Sequence, residues 1–567
     1  MNKIYTTVWC ESRQQWVVTS ELATGSGRPK LAPKKSALAL LLGSMLLPSG
    51  PVMAVNYLGE TVTGIQSLYS GDTATSTTIN GGYQFIYSGG TATITGISGG
   101  TQFVNSGGKA TSTSILSGGK QYVDNGALAS ITTILSGGTQ SVDSGGTATS
   151  TTIRSGGTQH ISGGLATSTT ISGGGTQNVS SGGSATSTII SGGTQYVYSG
   201  GTATSTTLDS DGVQSVNGGA ATSTTINSGG RQNVSSGGLA TETTVNSGGR
   251  QNVSSGGSAT STTITGGWQD VSSGGSATST TISGGGQYVS SGGSATDTII
   301  NGHGGQFVHS GGSATGTTIS GGWQYVYGQA TDTTISSGAQ YVRDGGSATS
   351  TTISGGEQFV RSDSSATSTT ISDGMQRVYS YSSATFTTIN SGGDQHVYSG
   401  GTATSTTINS GGAQYVSSGG TATSTTINSG GQQHVSSGGL ATSTTINGDQ
   451  GVVSGAGLAR QYVYSGGSAI FTTLNSGGRQ EVYSGGAATS TTIHNGAVQY
   501  VSSGGSAIFT TLNSGTQYVY GLATDTTNNG GWQYVLGSAT GTTINSSGRQ
   551  EVRSGGSATF TTIRLGH

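Results

Sequence analysis

Asp209 and Asp211 are the closest pair of carboxylates in the body of this 567-residue sequence, and paired acids are what general acid–base or glycoside chemistry requires. They lie in Leu208-Asp209-Ser210-Asp211-Gly212, a composition that reads as a solvated turn, and the other acids are spread thinly. Histidines offer a second possibility. His303 and His309 are six apart, and His396 and His434 occupy equivalent positions two repeats apart with Tyr415 between them, but neither set supplies three or four convergent metal ligands. The many Gly-Gly dipeptides lack the following helix and lysine of a phosphate cradle. The sequence therefore predicts no catalytic, metal-binding or cofactor-binding residues. The chemistry left is that of a surface: a recurrent tyrosine at Tyr122, Tyr196, Tyr288, Tyr325, Tyr341, Tyr415, Tyr462, Tyr500 and Tyr518, whose rings suit weak, additive contacts.

What must position these tyrosines is a repeat. Glutamine marks 27 units, from Gln66 to Gln550, mostly 18–19 residues apart. The cleanest copy runs from Ala403 to Thr421, ATSTTINSGGAQYVSSGGT. A period near 20 with two Gly-rich punctuations predicts one turn of a solenoid per unit, hence an all-β, right-handed parallel β-helix of about 27 rungs. At the inter-strand spacing its stack would be on the order of 130 Å long. Two spacings break the rhythm, 16 residues from Gln324 to Gln340 and 28 from Gln433 to Gln461, the latter implying a loop within 448–460.

Comparing copies within the chain predicts the side-chain directions, because strand residues alternate between faces. The Ser405 position is elsewhere Glu242, Asp297, Gly316, Phe386 or Phe471, so it points outward. Parity then sends Thr404, Thr406 and Ile408 inward, sends Thr407 outward, and leaves Ala403 to a corner. Burying Thr404 and Thr406 argues against the outward Thr ranks of an ice-binding solenoid. The Tyr415 position is Asn178, Asp270, Arg377, His396 or His434 in other copies and faces water, while Gln414 and Val416 face in. Stacked inward glutamines would bond to their counterparts one rung away.

Composition agrees with an ordered but thin core. Glycine numbers 106 and proline 4, only 7% of residues are charged, yet 30% are hydrophobic and recur at fixed intervals. From residue 55 onward 13 basic face 19 acidic side chains, a net of −6, which offers no footprint for nucleic acid or anionic lipid. Cys10 is the only cysteine, so disulfides cannot staple the body.

The N-terminus reads as a leader. Residues 36–47 form an apolar run preceded by Lys34 and Lys35, and Val52-Met53-Ala54 suits signal peptidase, which predicts cleavage between Ala54 and Val55. The preceding Met1-Asn2-Lys3-Ile4-Tyr5, Trp9, and Trp16-Val17-Val18 with Ser20-Glu21-Leu22 resemble the extended signal-peptide region of type V secretion substrates, with Cys10 as a departure. Residues 1–54 are thus an extended signal peptide and 55–567 a repetitive passenger. The unit GGxATxTTINSGGxQYVxS resembles the repeat of AIDA-type self-associating autotransporter adhesins. The resemblance implies a surface-exposed β-helical passenger without catalysis that mediates autoaggregation, biofilm formation or adherence to host cells. Its expected partners are copies of itself on neighbouring cells, a host receptor or glycan, and a heptosyltransferase. Candidate acceptors for the last are the serines of the Ser417-Ser418 and Ser436-Ser437 corners. Relatives end in a translocator β-barrel, whereas this sequence stops at Arg564-Leu565-Gly566-His567, inside a repeat, with no barrel expected in it.

Overall fold

The computed structural model describes residues 5–10, 15–20, 53–449, 457–545 and 547–564. It separates into two units, residues 1–53 and 54–567. In the first, Tyr5–Cys10 pairs antiparallel with Gln15–Ser20, with Trp9 opposite Trp16. The apolar run at 36–47 and the terminal Leu565–His567 lie outside the described residues.

The second unit is a parallel β-solenoid of about 28 turns, with no helix among its described residues. Each turn carries three strands, seen in Thr402–Thr404, Thr407–Ile408 and Ala413–Val416. Each strand pairs in parallel with its equivalent one turn before and after, Gln414 lying between Gln395 and Gln433. The third corner, unforeseen in the sequence, falls inside ATSTTI. Ser405 takes φ +56°, as do its equivalents in nearly every turn. A left-handed residue resets the alternation, so two predicted directions are corrected. Ala403 is a buried strand residue rather than a corner, and Thr404 points outward. Thr406, Ile408, Gln414 and Val416 are buried as expected.

The core is a set of columns. Isoleucine stacks on isoleucine from Ile79 through Ile446, with Leu208 and Val245 filling two turns. Valine and alanine of the other strands form a second column, as in Val197, Ala203, Val216 and Ala221. Burying one such aliphatic side chain per turn contributes about 1.5–3 kcal/mol, set against the entropy of ordering the whole turn. Stability is therefore a nearest-neighbour sum along the axis.

Glutamine solves the problem of a polar interior. From Gln84 to Gln550 each Nε2 donates to the Oε1 of the preceding turn at 2.6–2.9 Å. The second N–H of Gln414 goes to Thr406 Oγ1 at 3.2 Å, while its Oε1 accepts from Gln433 and, at 3.2 Å, from Thr425 Oγ1. Every donor and acceptor of a mid-stack amide is thus used, which is what burial demands. All amides point the same way, and at the first turn Gln66 Nε2 donates to the Glu60 carboxylate at 3.1 Å, a cap for the free end.

Irregular turns leave this ladder intact. Across the 16-residue turn Gln340 still reaches Gln324 at 2.7 Å, and across the 28-residue one Gln461 reaches Gln433 at 2.7 Å. A further 16-residue turn separates Gln517 from Gln533. Of the loop expected within 448–460, residues 450–456 lie outside the described residues. Its return is anchored by Ser429 Oγ donating to Gly457 O at 2.6 Å and by buried Leu458 and Ala459.

Candidate interaction surface

Outward positions at the third strand are its first residue, that of Ala413, the Tyr415 position and, after the inward valine, that of Ser417; the last two form a first and a second row. All nine predicted tyrosines lie in the first row, each half-buried. Their ring faces stack on the neighbouring turns, as aromatic pairs in register do. His396, Tyr415, His434 and Tyr462 form one run with centroids 4.6, 4.8 and 4.8 Å apart. Tyr500 stacks on Tyr518 at 5.0 Å, and Tyr518 on Tyr534 at 5.0 Å. The longest run is Trp268, Tyr288, Phe307, Tyr325, Tyr341 and Phe359, at 4.9–5.3 Å throughout. Tyr122 ends a run begun by Phe85 and Phe103. Tyr196 has Asn178 and Ser215 as its row neighbours and stacks instead on Tyr198 of its own strand. Selecting tyrosine alone missed the phenylalanines, Tyr534 and the tryptophans; the position before each inward valine was the signal that would have found the first two, and the position before each ladder glutamine the tryptophans.

In the second row Tyr69 stacks on Tyr87, Tyr379 on Tyr398 and Tyr464 on Tyr483, at 5.1–5.3 Å. Guanidinium groups close several runs: Arg479 lies 4.2 Å from the Tyr500 ring centre and Arg553 4.4 Å from that of Tyr534. With their faces so occupied, the rings offer edges and hydroxyls to an approaching molecule.

The two histidines of the His396 run are held by their neighbours. His396 Nδ1 lies 2.8 Å from Tyr398 Oη, and His434 contacts Tyr464 Oη at 3.3 Å and Gln432 Oε1 at 3.2 Å. Burial pushes both imidazole pKa values down, and for His396 the Arg377 charge adds to the effect; Asp394, two residues before His396 on the same strand, is pushed up by burial. Lowered values mean the unfolded chain takes up protons that the folded one resists. Local stability should accordingly fall as pH drops through the unfolded value near 6.5. Denaturant midpoints between pH 7.5 and 5.5 check this, and His434→Asn, the residue at this position in several turns, should flatten the slope. Among the described residues no three His, Cys, Asp or Glu side chains converge as a metal site needs.

Asp209 and Asp211 sit at a corner where Ser210 and Asp211 both have positive φ, and Asp209 accepts from Asn227 at 2.6 Å. Ser417 and Ser436 are half-buried at the ends of third strands, whereas Ser418 and Ser437 are exposed at the corner beyond them. Thr404, turned outward, joins Thr402 and Thr407 on the surface, so the reason for dismissing an ice-type face does not hold. The Thr402 row, however, is interrupted by Leu239, Leu440, Lys109 and Gln329 and is not uniform.

Comparison with known proteins bears on this architecture. Residues 1–50 match the family model "Extended Signal Peptide of Type V secretion system". Residues 157–212, 209–267, 273–322 and 358–412 match "Adhesin of bacterial autotransporter system, probable stalk". Over 87 residues, 14% of the chain, the sequence is 51% identical to "Autotransporter CRAC" of Citrobacter rodentium, and this stretch is 6% of that protein. It is 44% identical over 87 residues, again 14% of the chain, to "Autotransporter adhesin/invasin TibA" of Escherichia coli, of which 9% is matched. The solved structure of a TibC-catalyzed hyper-glycosylated TibA55-350 fragment aligns at 36% identity over 68% of this chain and 96% of that one, with a TM-score of 0.20. An extended type V signal region followed by an AIDA stalk of Gln-laddered turns makes this chain a member of the AIDA-type autotransporter adhesins.

Proposed function

We propose that residues 55–567 form the cell-surface adhesive passenger of an autotransporter, acting without catalysis and principally by self-association. The observation that carries this reading is the outer face itself. Ring edges, hydroxyls and amides recur at one fixed period with few charges. Outward asparagines even bond in series, Asn428 to Asn409 and Asn409 to Asn390, both at 2.9 Å. A second copy laid antiparallel would meet the same groups at the same period, and many weak contacts multiply by avidity. Displaying the passenger on non-aggregating cells tests it: sedimentation in a bacteria-only suspension is expected. Binding to epithelial cells without sedimentation would replace self-association by receptor binding.

The Ser405 corner supports contact with another molecule. Phe386, Phe471 and Phe509 sit there at φ 56–57° and are 55–61% exposed. A bulky side chain in left-handed backbone costs roughly 1–2 kcal/mol, and exposing it adds nothing to the fold. Replacing the three with glycine, present at this corner as Gly316 and Gly541, should raise stability by up to about 1 kcal/mol per site and slow clumping. Unfolding midpoints and settling rates read the two effects separately.

Export and modification complete the reading. Val55 N donates to Asp72 Oδ1 at 2.7 Å, and Tyr69 N to Oδ2 at 2.8 Å, contacts that hold the Asp72 carboxyl below its usual range. Cleavage after Ala54 would turn the first contact into an ammonium–carboxylate pair capping the first turn. N-terminal sequencing of exported protein should begin at Val55. Exposed Ser418 and Ser437 are the corner hydroxyls best placed for a heptosyltransferase, which intact-mass and peptide analysis after co-expression would test.

A further inference from the structure

The residue before the ladder glutamine begins the third strand and points outward. Glycine occupies it in just two of the 27 units, at Gly286 and Gly305, on consecutive turns. On the turn before stands Trp268 and on the turn after stands Trp323, so tryptophan, glycine, glycine and tryptophan follow one another along the axis. A Cβ on Gly286 would lie 2.7 Å from Trp268 Cζ3, and one on Gly305 would lie 2.7 Å from Trp323 Nε1. Both indoles therefore lean over the glycine pair from opposite sides, each into space that any other residue would fill. They remain 38% and 37% exposed. Tyr288, Phe307 and Tyr325 line one flank as a continuous stack. Trp268 stacks on Tyr288, with centroids 5.1 Å apart.

Stability does not explain this arrangement. Threonine holds the same position in turn after turn, as Thr139, Thr158, Thr176 and Thr194. Two glycines weaken a strand that threonine would favour, and a strand glycine commonly marks where something approaches closely. Trp532 provides an internal comparison. It occupies the equivalent position, but Arg549 lies 4.7 Å over its ring and Tyr534 stacks at 5.5 Å, so its surroundings are complete. The Trp268–Trp323 patch carries no such guanidinium. Its nearest charges, Arg250 and Asp270 at the Trp268 end, neutralise each other at 2.6 Å while Arg250 stays half-exposed.

We propose that Trp268 and Trp323, over the Gly286–Gly305 floor, form a binding site for a neutral pyranose oligosaccharide. A pyranose presents a face of C–H groups, weakly positive, to the negative face of an aromatic ring and a rim of hydroxyls to polar groups. An apolar aromatic floor with a few polar groups at one edge is the lining such a ligand requires. Arg250 and Asp270 supply a donor and an acceptor for the rim. The Trp268 and Trp323 backbones stand three turns apart, about 14 Å at the inter-strand spacing, and their indoles lean inward over Gly286 and Gly305, so the two rings together make one continuous patch matched to one or two linked sugars. The sugar could belong to a foreign glycan or be carried on a second, modified copy of this chain.

The cleaved chain holds three tryptophans, Trp268, Trp323 and Trp532, so intrinsic fluorescence reports on the site. Titration of residues 55–567 with lactose, maltotriose and mannotriose, and separately with chain heptosylated in co-expression, should give a saturable change with at least one probe. Isothermal titration calorimetry, which does not depend on the reporting indoles, should show the W268A/W323A pair binding at least tenfold more weakly, and Gly286→Thr likewise with both indoles retained, while Trp532→Ala leaves binding unchanged. These residues are outward, so an unaltered thermal melt certifies the fold of each variant. Response to free oligosaccharide assigns a foreign glycan; response to heptosylated chain alone assigns the second copy. No saturable response to any probe, or equal binding by W268A/W323A, overturns the proposal. So does clumping lost in that variant when no sugar binds, which would make the patch a protein contact. The site stands apart from self-association: sugar binding abolished with clumping intact concerns this patch alone.

Discussion

Gln414→Leu should destabilise the turns around it by about 3–6 kcal/mol, although leucine is apolar and of similar size. The loss comes from the partners. Gln433 Nε2 and Thr425 Oγ1 both donate to Gln414 Oε1, and leucine leaves two buried donors without an acceptor. Gln395 Oε1 loses its 2.7 Å donor and Thr406 Oγ1 its 3.2 Å one. Each buried orphan costs roughly 1–3 kcal/mol. Tyr415→Ser, one residue away and outward, should cost under about 1 kcal/mol in lost ring stacking. Chemical denaturation with hydrogen exchange resolved along the chain measures both effects, and exchange should accelerate first in the turns of Gln395 and Gln433. Gln414→Glu adds a test that volume cannot imitate. A carboxyl at this depth has its pKa raised by burial. Its protonated form restores one donor to the ladder, so this variant should regain stability as pH falls, whereas the leucine variant should not. Equal cost for Gln414→Leu and Tyr415→Ser would mean that the amide ladder is incidental to the fold.

Why the ladder was legible in the sequence, while the first part of the turn was not, has a physical answer. Within Gln414-Tyr415-Val416 the strand is continuous, so variation at the centre and constancy at the flanks translate directly into out and in. Within Ala403–Ile408 the left-handed Ser405 interrupts the strand, and alternation counted through it assigns Ala403 and Thr404 to the wrong places. Another signal was available. The Ala403 position is alanine in turn after turn, from Ala74 through Ala92 and Ala110 to Ala539, while its neighbours change. A small residue that never enlarges marks a tight interior better than parity does. The pairing of Thr406 with Gln414 belongs to neither strand alone and needs the third corner to bring the two together. The Trp268–Trp323 patch was hidden for another reason: its members are distant in sequence and become neighbours only when turns are aligned column by column.

The same columns make a deletion experiment decisive. Removing residues 403–421 takes out one full period, since Gln414 and Gln433 are 19 apart. Thr402 would then join Ala422 and Gln395 would face Gln433. Every inward residue would meet its own kind: alanine on alanine, isoleucine on isoleucine, amide on amide. In a nearest-neighbour stack the cost is one turn's share, so the shortened chain should unfold within about 1 kcal/mol of the parent. Removing only 403–409 deletes the first two strands and keeps the third. Ala403, Thr406 and Ile408 vanish from their columns, Gln414 loses the Thr406 bond, and the strands of Ala384 and Ala422 each lose the partner that lay between them. Losing the buried isoleucine alone costs about 2–5 kcal/mol, and the unpaired strand edges add to it. The smaller deletion should therefore do the greater damage, splitting the unfolding transition or exposing protease sites on both sides of the gap. Corner insertions do neither, as the 28-residue turn shows by keeping Gln461 on Gln433. If both deletions destabilise alike, the turns do not act as interchangeable units and the solenoid reading of this chain fails.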